Sequence, residues 1–291
     1  NSNKLIITKS GEREYNKWSN NLINDKKIKS WDVYLSRKFS RKKINIKNLV
    51  RFSRTFFYKR NHLLQKTNSQ RLKDAFSFYY RKRFINRNFN SDIPDFKYVY
   101  YPLSTVPEAS LLIRGLKYFS QIYTIEQISL NLPLNFKILV KEHPGMVGLN
   151  TISFYKKLMS IYNVHLIHPS ASNLDIMKKS EGVITITGST GIEAIGLNEK
   201  VIILGDSMYS FLKSVYRIDD LNKISTILNK KITYDDINNQ KNDLKLLASA
   251  LIENSIEDPN DTLNIMNSIE RLSIDKVDRN IYLALKRLVN E

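Results

Sequence analysis

Between Lys97 and Leu204 short apolar runs alternate with amphipathic stretches, and no other feature of the sequence restricts the fold as strongly. Residues 97–103, 136–140, 164–167, 182–187 and 201–204 read as strands, the first ending at Pro102. Between them, residues 111–130, 151–162, 173–179 and 191–197 carry apolar residues at helical spacing. Strands that alternate with helices predict an α/β domain: a Rossmann-like parallel sheet with helices on both faces, over residues 92–215. Residues 1–91 read as a basic, mostly helical segment ahead of it. Residues 216–291 read as a helical segment that packs on it, with 263–288 amphipathic.

The composition narrows the chemistry. Without cysteine there is no disulfide scaffold, thiolate metal site or thiol nucleophile. The four histidines, His62, His143, His165 and His168, include no HExxH pair, so no metal and no cofactor are expected. No GxSxG elbow occurs, which disfavours a serine hydrolase. No apolar run approaches the roughly 18 residues that cross a bilayer, and no signal peptide is visible. A cytoplasmic location is expected, with peripheral association at the inner face of the cytoplasmic membrane. The chain starts at Asn1 and its first methionine is Met146, so an upstream part is expected to be missing.

Charge is segregated. Residues 1–90 hold 24 Lys/Arg and 5 Asp/Glu, a net of +19, whereas residues 91–291 hold 22 and 23, a net of −1. The basic stretch 26–87 is interleaved with aromatics, Phe52, Phe56, Phe57, Tyr58, Phe76, Phe78, Tyr79, Tyr80 and Phe84 among them. Three readings stand side by side: a connector whose aromatics pack inward, a surface for anionic lipid, and a nucleic-acid surface. No RNA-recognition signature or zinc-finger spacing supports the third, and no nucleic-acid partner is expected.

In open α/β sheets ligands bind beyond the carboxyl ends of the strands. Three clusters lie there. Gly188-Ser189-Thr190-Gly191 follows a strand and opens a helix, where N–H groups, hydroxyls and the helix dipole favour an anion. The same residues also suit an ordinary Gly/Ser helix cap. Glu193 lies in the first turn, where it can accept from ribose hydroxyls or merely complement the dipole. Lys141-Glu142-His143-Pro144 leaves another strand, and an imidazole there can donate to a phosphate or serve structurally. His168 reads as a loop residue and His165 as a packing residue. The third cluster, residues 102–110, holds Glu108 and Ser110.

Taken together, YVYYPLSTVPEAS, LPLNFKILVKEHPGMVG, NVHLIHPSAS, VITITGSTGIEA and VIILGDSMY, all between residues 98 and 209, resemble the capsule polysaccharide biosynthesis family of GT-B glycosyltransferases, which includes Kdo transferases. The resemblance implies that this chain is the C-terminal half of a GT-B fold, with residues 1–91 a connector from an absent acceptor domain. It implies transfer of Kdo or a related ulosonic acid from a CMP-linked nucleotide-sugar donor to a glycan or glycolipid acceptor. By residue, His143 contacts the donor phosphate and assists departure of the nucleotide. Gly188, Ser189 and Thr190, with Gly191 opening the helix, cradle that phosphate. Glu193 holds the ribose, and Glu108 and Ser110 line the cleft. Lys141 and Pro144 complete the donor site. Ser104 and Val106 stand where such proteins commonly carry His and Gln, and Ile192 where Trp is frequent. Two other readings remain: a GT-B glycerophosphotransferase or nucleotide-sugar epimerase, and a non-catalytic membrane-associated scaffold.

Overall fold

The computed structural model describes residues 6–23, 68–107 and 109–253. Most of the basic stretch 26–87 and the expected amphipathic run 263–288 therefore lie outside the described residues. The chain divides into two compact units, residues 1–14 with 245–291, and residues 15–244. The described elements are α1 (Lys9–Ile23), α2 (Asn68–Asn88), β1 (Tyr98–Pro102), α3 (Ala109–Arg114), a 3₁₀ turn (Leu116–Tyr118) and α4 (Gln121–Leu130). Then come β2 (Lys137–Lys141), a 3₁₀ turn (Pro144–Met146), α5 (Ile152–Met159), β3 (Val164–Ile167), α6 (Asn173–Lys178), β4 (Val183–Thr185), α7 (Thr190–Gly196) and β5 (Val201–Ile203). The last are β6 (Val215–Arg217), α8 (Lys223–Asn229) and α9 (Tyr234–Glu253).

The six strands form one parallel sheet in the order β3-β2-β1-β4-β5-β6. This is the order of a doubly wound Rossmann sheet, as the alternating pattern predicts. Strands buried on both faces have no polar side to alternate, which is why VYY, ILV and VIT read as continuous apolar runs. One face, through Val99, Tyr101, Ile138, Val140, Ile184 and Ile202, packs into a common core with Leu111, Ile125, Ile128 and Leu158 from the helices. The alternate residues of β1 face α6: the Tyr98 hydroxyl donates to the Ile176 carbonyl at 2.8 Å.

Two parts of the fold differ from the expectation. The single helix over 111–130 is three elements, broken at Gly115 and Ser120. A Cβ on Gly115 would lie 2.5 Å from the Ile186 side chain, so the backbone passes too close to the end of β4 for any other residue. The Arg114 carbonyl, at the end of α3, accepts from the Asp206 N–H at 3.1 Å, so α3 is capped by the loop after β5 rather than continued. The second difference is β6, a three-residue edge strand with one buried position, too short and too polar to register as a strand in the sequence.

Within the larger unit α2 lies against the α5 side of the domain. Ile85 is fully buried, Phe84, Phe89 and Tyr155 make mutual ring contacts, and Arg81 donates to the Leu149 carbonyl at 2.8 Å. Phe76, Tyr79 and Tyr80 of the same helix are exposed. So the described aromatics of the basic stretch divide, some packing inward and some facing solvent. In the smaller unit Ser249 is fully buried and its Oγ accepts from the Thr8 N–H at 3.0 Å, beside a Glu12–Lys245 ion pair. No helix among the described residues is long and apolar enough to cross a membrane.

Candidate functional site

The chain lays down β1 in the middle of the sheet, moves outward to β3, then returns to the other side of β1 with β4. The loops leaving β1 and β4 therefore part from each other, and a crevice opens at the carboxyl ends of these strands. The Gly188–Gly191 loop stands on one side of it and residues 103–107 on the other.

The Gly188–Gly191 loop is held from beneath. The Gly188 N–H donates to Thr185 Oγ1 at 3.2 Å, and the Tyr209 hydroxyl donates to the Gly188 carbonyl at 2.6 Å. Burial pushes the Tyr209 pKa well up, so its proton stays in place as a donor. Ser189 occupies the N-cap position of α7 but its side chain makes no capping bond, leaving its hydroxyl out of the helix. The Gly191 N–H reaches the Gly188 carbonyl and those of Ile192 and Glu193 reach the Ser189 carbonyl. The N–H groups of Ser189 and Thr190 precede this ladder, as the first amides of any helix do. A Cβ on Gly191 would fall 2.3 Å from the Tyr209 hydroxyl, so tyrosine and glycine need each other.

A polar network lies under the crevice. Lys141, only 2% exposed, donates from Nζ to the Ala171 carbonyl and to Asn173 Oδ1. The Tyr100 hydroxyl donates to the same Asn173 Oδ1 at 3.1 Å. Burial is the main cause that raises the Tyr100 pKa, and the negative charge of Glu193 adds to it, which places Glu193 within electrostatic reach of this network. Lys141 is therefore covered, and only its charge, not its ammonium group, reaches toward the crevice from below.

The four residues Lys141-Glu142-His143-Pro144 separate by pleat and turn. Glu142 turns to the opposite face from Lys141, where its Oε1 accepts from the Tyr155 hydroxyl at 2.6 Å and from Asn150 Nδ2 at 2.8 Å. His143 is half-buried and caps the 3₁₀ turn that Pro144 begins, its Nδ1 accepting from the Gly145 N–H at 3.0 Å. With Nδ1 an acceptor, the neutral ring carries its proton on Nε2, and Nε2–H is the donor the ring presents. The ends of β2 and β4 are two strand spacings apart, about 10 Å between backbones, a gap that the side chains projecting from both ends narrow.

The other sequence candidates fall as follows. His168 leaves β3, its ring between Ser170 and Asn86, and burial followed by the Lys141 charge lowers its pKa. His165 sits edge-on to Phe96. Glu108 lies outside the described residues; Ser110 lies in α3. Among the described residues no group of three His, Asp or Glu is placed to hold a metal ion.

Sequence reasoning gave no role to Tyr209, Thr185, Asn173 or Gln121. Gln121 clamps the loop after β1, its Oε1 accepting from the Ser104 N–H at 2.7 Å and its Nε2 donating to the Ser104 carbonyl at 3.1 Å. Nothing in spacing marks such supports, except that Tyr209 and Asn173 lie just beyond strands, where ligand loops are sought.

Three comparisons with known proteins bear on the chain. Residues 119–213 match the family model described as Capsule polysaccharide biosynthesis protein. No curated protein matches. Among solved structures, the KpsC β-Kdo 2,7-transferase of Thermosulfurimonas dismutans is 18% identical with a TM-score of 0.40, covering 60% of this chain and 53% of its own. The KpsC β-Kdo 2,4-transferase of the same organism is 16% identical with a TM-score of 0.36, covering 64% and 56%. The spinosyn rhamnosyltransferase SpnG is 12% identical with a TM-score of 0.35, covering 56% and 45%. The chain thus spans about half the length of the solved structures it matches. Over residues 119–213, 95 of its 291 residues, the chain is thus similar to the capsule polysaccharide biosynthesis family.

Proposed function

We propose that this chain is the donor-binding part of a GT-B glycosyltransferase of cell-surface polysaccharide assembly, and that its donor is a CMP-linked ulosonic acid such as Kdo. The observation that carries the reading is the Gly188–Thr190 loop at the crevice where the strand order reverses, inside the stretch that the family model matches. In this reading residues 92–215 bind the nucleotide sugar and residues 1–91 lead from an acceptor-binding domain. The basic stretch 26–87 faces anionic lipid, which brings the protein to the inner face of the cytoplasmic membrane.

The reaction breaks the bond between the anomeric carbon and a phosphate oxygen, so negative charge grows on the departing CMP. His143 Nε2–H, the Ser189 and Thr190 hydroxyls and amides, the positive end of α7 and the Lys141 charge meet that charge. Glu193 accepts from the ribose hydroxyls. An acceptor hydroxyl supplies the electron pair for the new bond, and the base that takes its proton comes from the acceptor half.

Titration calorimetry of CMP, CDP, UDP and GDP into the purified chain tests this. The expected result is CMP binding that weakens about tenfold in His143→Ala and in Glu193→Ala, the effect of one lost hydrogen bond to a charged group. A folded chain that binds none of the four nucleotides would overturn the reading.

A further inference from the structure

A cavity lies at the opposite end of the strands, toward the β6 side of the sheet. It is open to solvent, encloses about 490 Å³ when the solvent at its mouth is included, and is lined by Lys200, Lys213, Ser214, Lys230, Lys231 and Gln240 among others. Lys200 immediately precedes β5 and Ser214 immediately precedes β6, so the cavity sits at the amino ends of these strands. The link from α8 to α9 closes it. The crevice at the carboxyl ends of β1 and β4 is more than about 10 Å away, since a three-residue strand alone is that long and the cavity is also displaced sideways to β5 and β6. All the lining residues belong to the larger compact unit.

Several observations point to a ligand. Lys200 is 8% exposed, and its Nζ donates to the Leu228 carbonyl at 2.6 Å. The negative charges of Glu181 and Glu199 act on it, yet among the described residues no carboxylate stands within ion-pair distance of it. A buried ammonium ordinarily gains such a partner, because desolvation of the charge is costly. Gln240, 4% exposed, donates from Nε2 to the Glu199 carbonyl, which leaves its buried Oε1 with no donor. Ser214 Oγ is buried and unpartnered as well. The carboxylate on the cavity wall, Asp236, accepts from the Thr233 N–H and hydroxyl at the start of α9.

We infer that this cavity binds a small oxyanion that also carries hydroxyl groups, a sugar acid or a sugar phosphate. The lysines call for an anion, and Gln240 Oε1 calls for a donor, which a fully ionised oxyanion lacks and a hydroxyl supplies. Ser214 Oγ can serve either part. A ligand with both groups satisfies the buried atoms together; a bare sulfate, with no proton to donate, leaves Gln240 unanswered.

The test titrates glucuronate, glucose 6-phosphate and inorganic sulfate separately into the full chain. The wild type is compared with the exposed pair Lys213→Ser/Lys231→Ser, with Ser214→Ala, and with the crevice pair Ser189→Ala/Thr190→Ala. At least one sugar anion should bind more tightly than sulfate, lose about tenfold or more in the lysine pair, weaken in Ser214→Ala, and keep its affinity in the crevice pair. Whichever sugar anion binds more tightly identifies the acidic group. Equal affinity for sulfate and both sugar anions would overturn the assignment, as would binding insensitive to the lysine pair or lost with the crevice pair. Absence of binding by a folded wild type would overturn it too.

Discussion

Gly191 has two reasons to be glycine, and they are separable. In the proposed donor site the approach of a phosphate is one; the Tyr209 hydroxyl, 2.3 Å from where a Cβ would stand, is the other and is independent of any ligand. Gly191→Ala should therefore lower stability by about 1–3 kcal/mol without ligand, the usual cost of overpacking. Tyr209→Phe should cost about 1 kcal/mol through the lost bond to the Gly188 carbonyl. Because both changes act on one contact, the double variant should be less destabilised than the sum, which urea midpoints of the four proteins measure. Glu199 gives a second residue-scale expectation. Burial, with the Glu181 charge adding and Lys200 opposing, raises its pKa from the ordinary 4.5 to about 7. The folded chain then holds more protons at this position than the unfolded chain between those values. Its contribution is full below pH 4.5 and declines as pH rises, until it levels off above about 7. Glu199→Gln should remove that slope, so the stability difference between variant and wild type should grow from pH 4.5 to 7 and stay constant above. Parallel curves at all pH would contradict this.

At the scale of elements, Gly115 sets local propensity against packing. Helix propensity alone gives Gly115→Ala about 1 kcal/mol of gain and would join α3 to α4. The Ile186 contact opposes it, and the expected outcome is a lower urea midpoint with no gain in helical circular dichroism. A higher midpoint would show that the break is incidental. The same position explains what the sequence made legible. Period and apolar runs mark β1 to β5 because strands buried on both faces must be apolar whatever surrounds them. The break at Gly115 was not legible, since its cause is Ile186, some 70 residues away in the chain. β6 was missed because an edge strand of three residues carries little burial. The site divides in the same way. Ligand loops stand out because glycines, hydroxyls and His-Pro sit just past strands. Their supports, Tyr209 on Gly188, Asn173 on Lys141 and Gln121 on Ser104, are tertiary contacts with no local signature. Glu142 shows the converse: its neighbours drew attention to a functional cluster, whereas it faces Tyr155 in the core.

At the scale of the whole molecule, the segregation of charge has consequences that no single contact carries. A net of +19 in the first 90 residues beside −1 in the remainder makes the charge strongly uneven along the chain. The described part of the basic stretch, α2, also exposes Phe76, Tyr79 and Tyr80, rings suited to the polar edge of a bilayer. If the basic stretch faces anionic lipid, each Lys or Arg near the surface adds about 1 kcal/mol, and the attraction falls off over a Debye length of about 8 Å at physiological salt. The chain should therefore co-sediment with phosphatidylserine vesicles in dilute salt, be released in about 1 M salt, where the Debye length is about 3 Å, and ignore phosphatidylcholine vesicles. Replacing Arg37, Lys38, Arg41, Lys42 and Lys43 by Gln should weaken the association while leaving CMP affinity unchanged, because those residues lie far in sequence from the crevice loops. Phe76→Ser/Tyr79→Ser should reduce the portion that survives added salt, which separates insertion of rings from attraction of charge. Equal sedimentation with both lipids, or indifference to the five Gln substitutions, would remove the membrane surface from the account and leave the charge to another polyanion, with a duplex RNA competitor as the direct check.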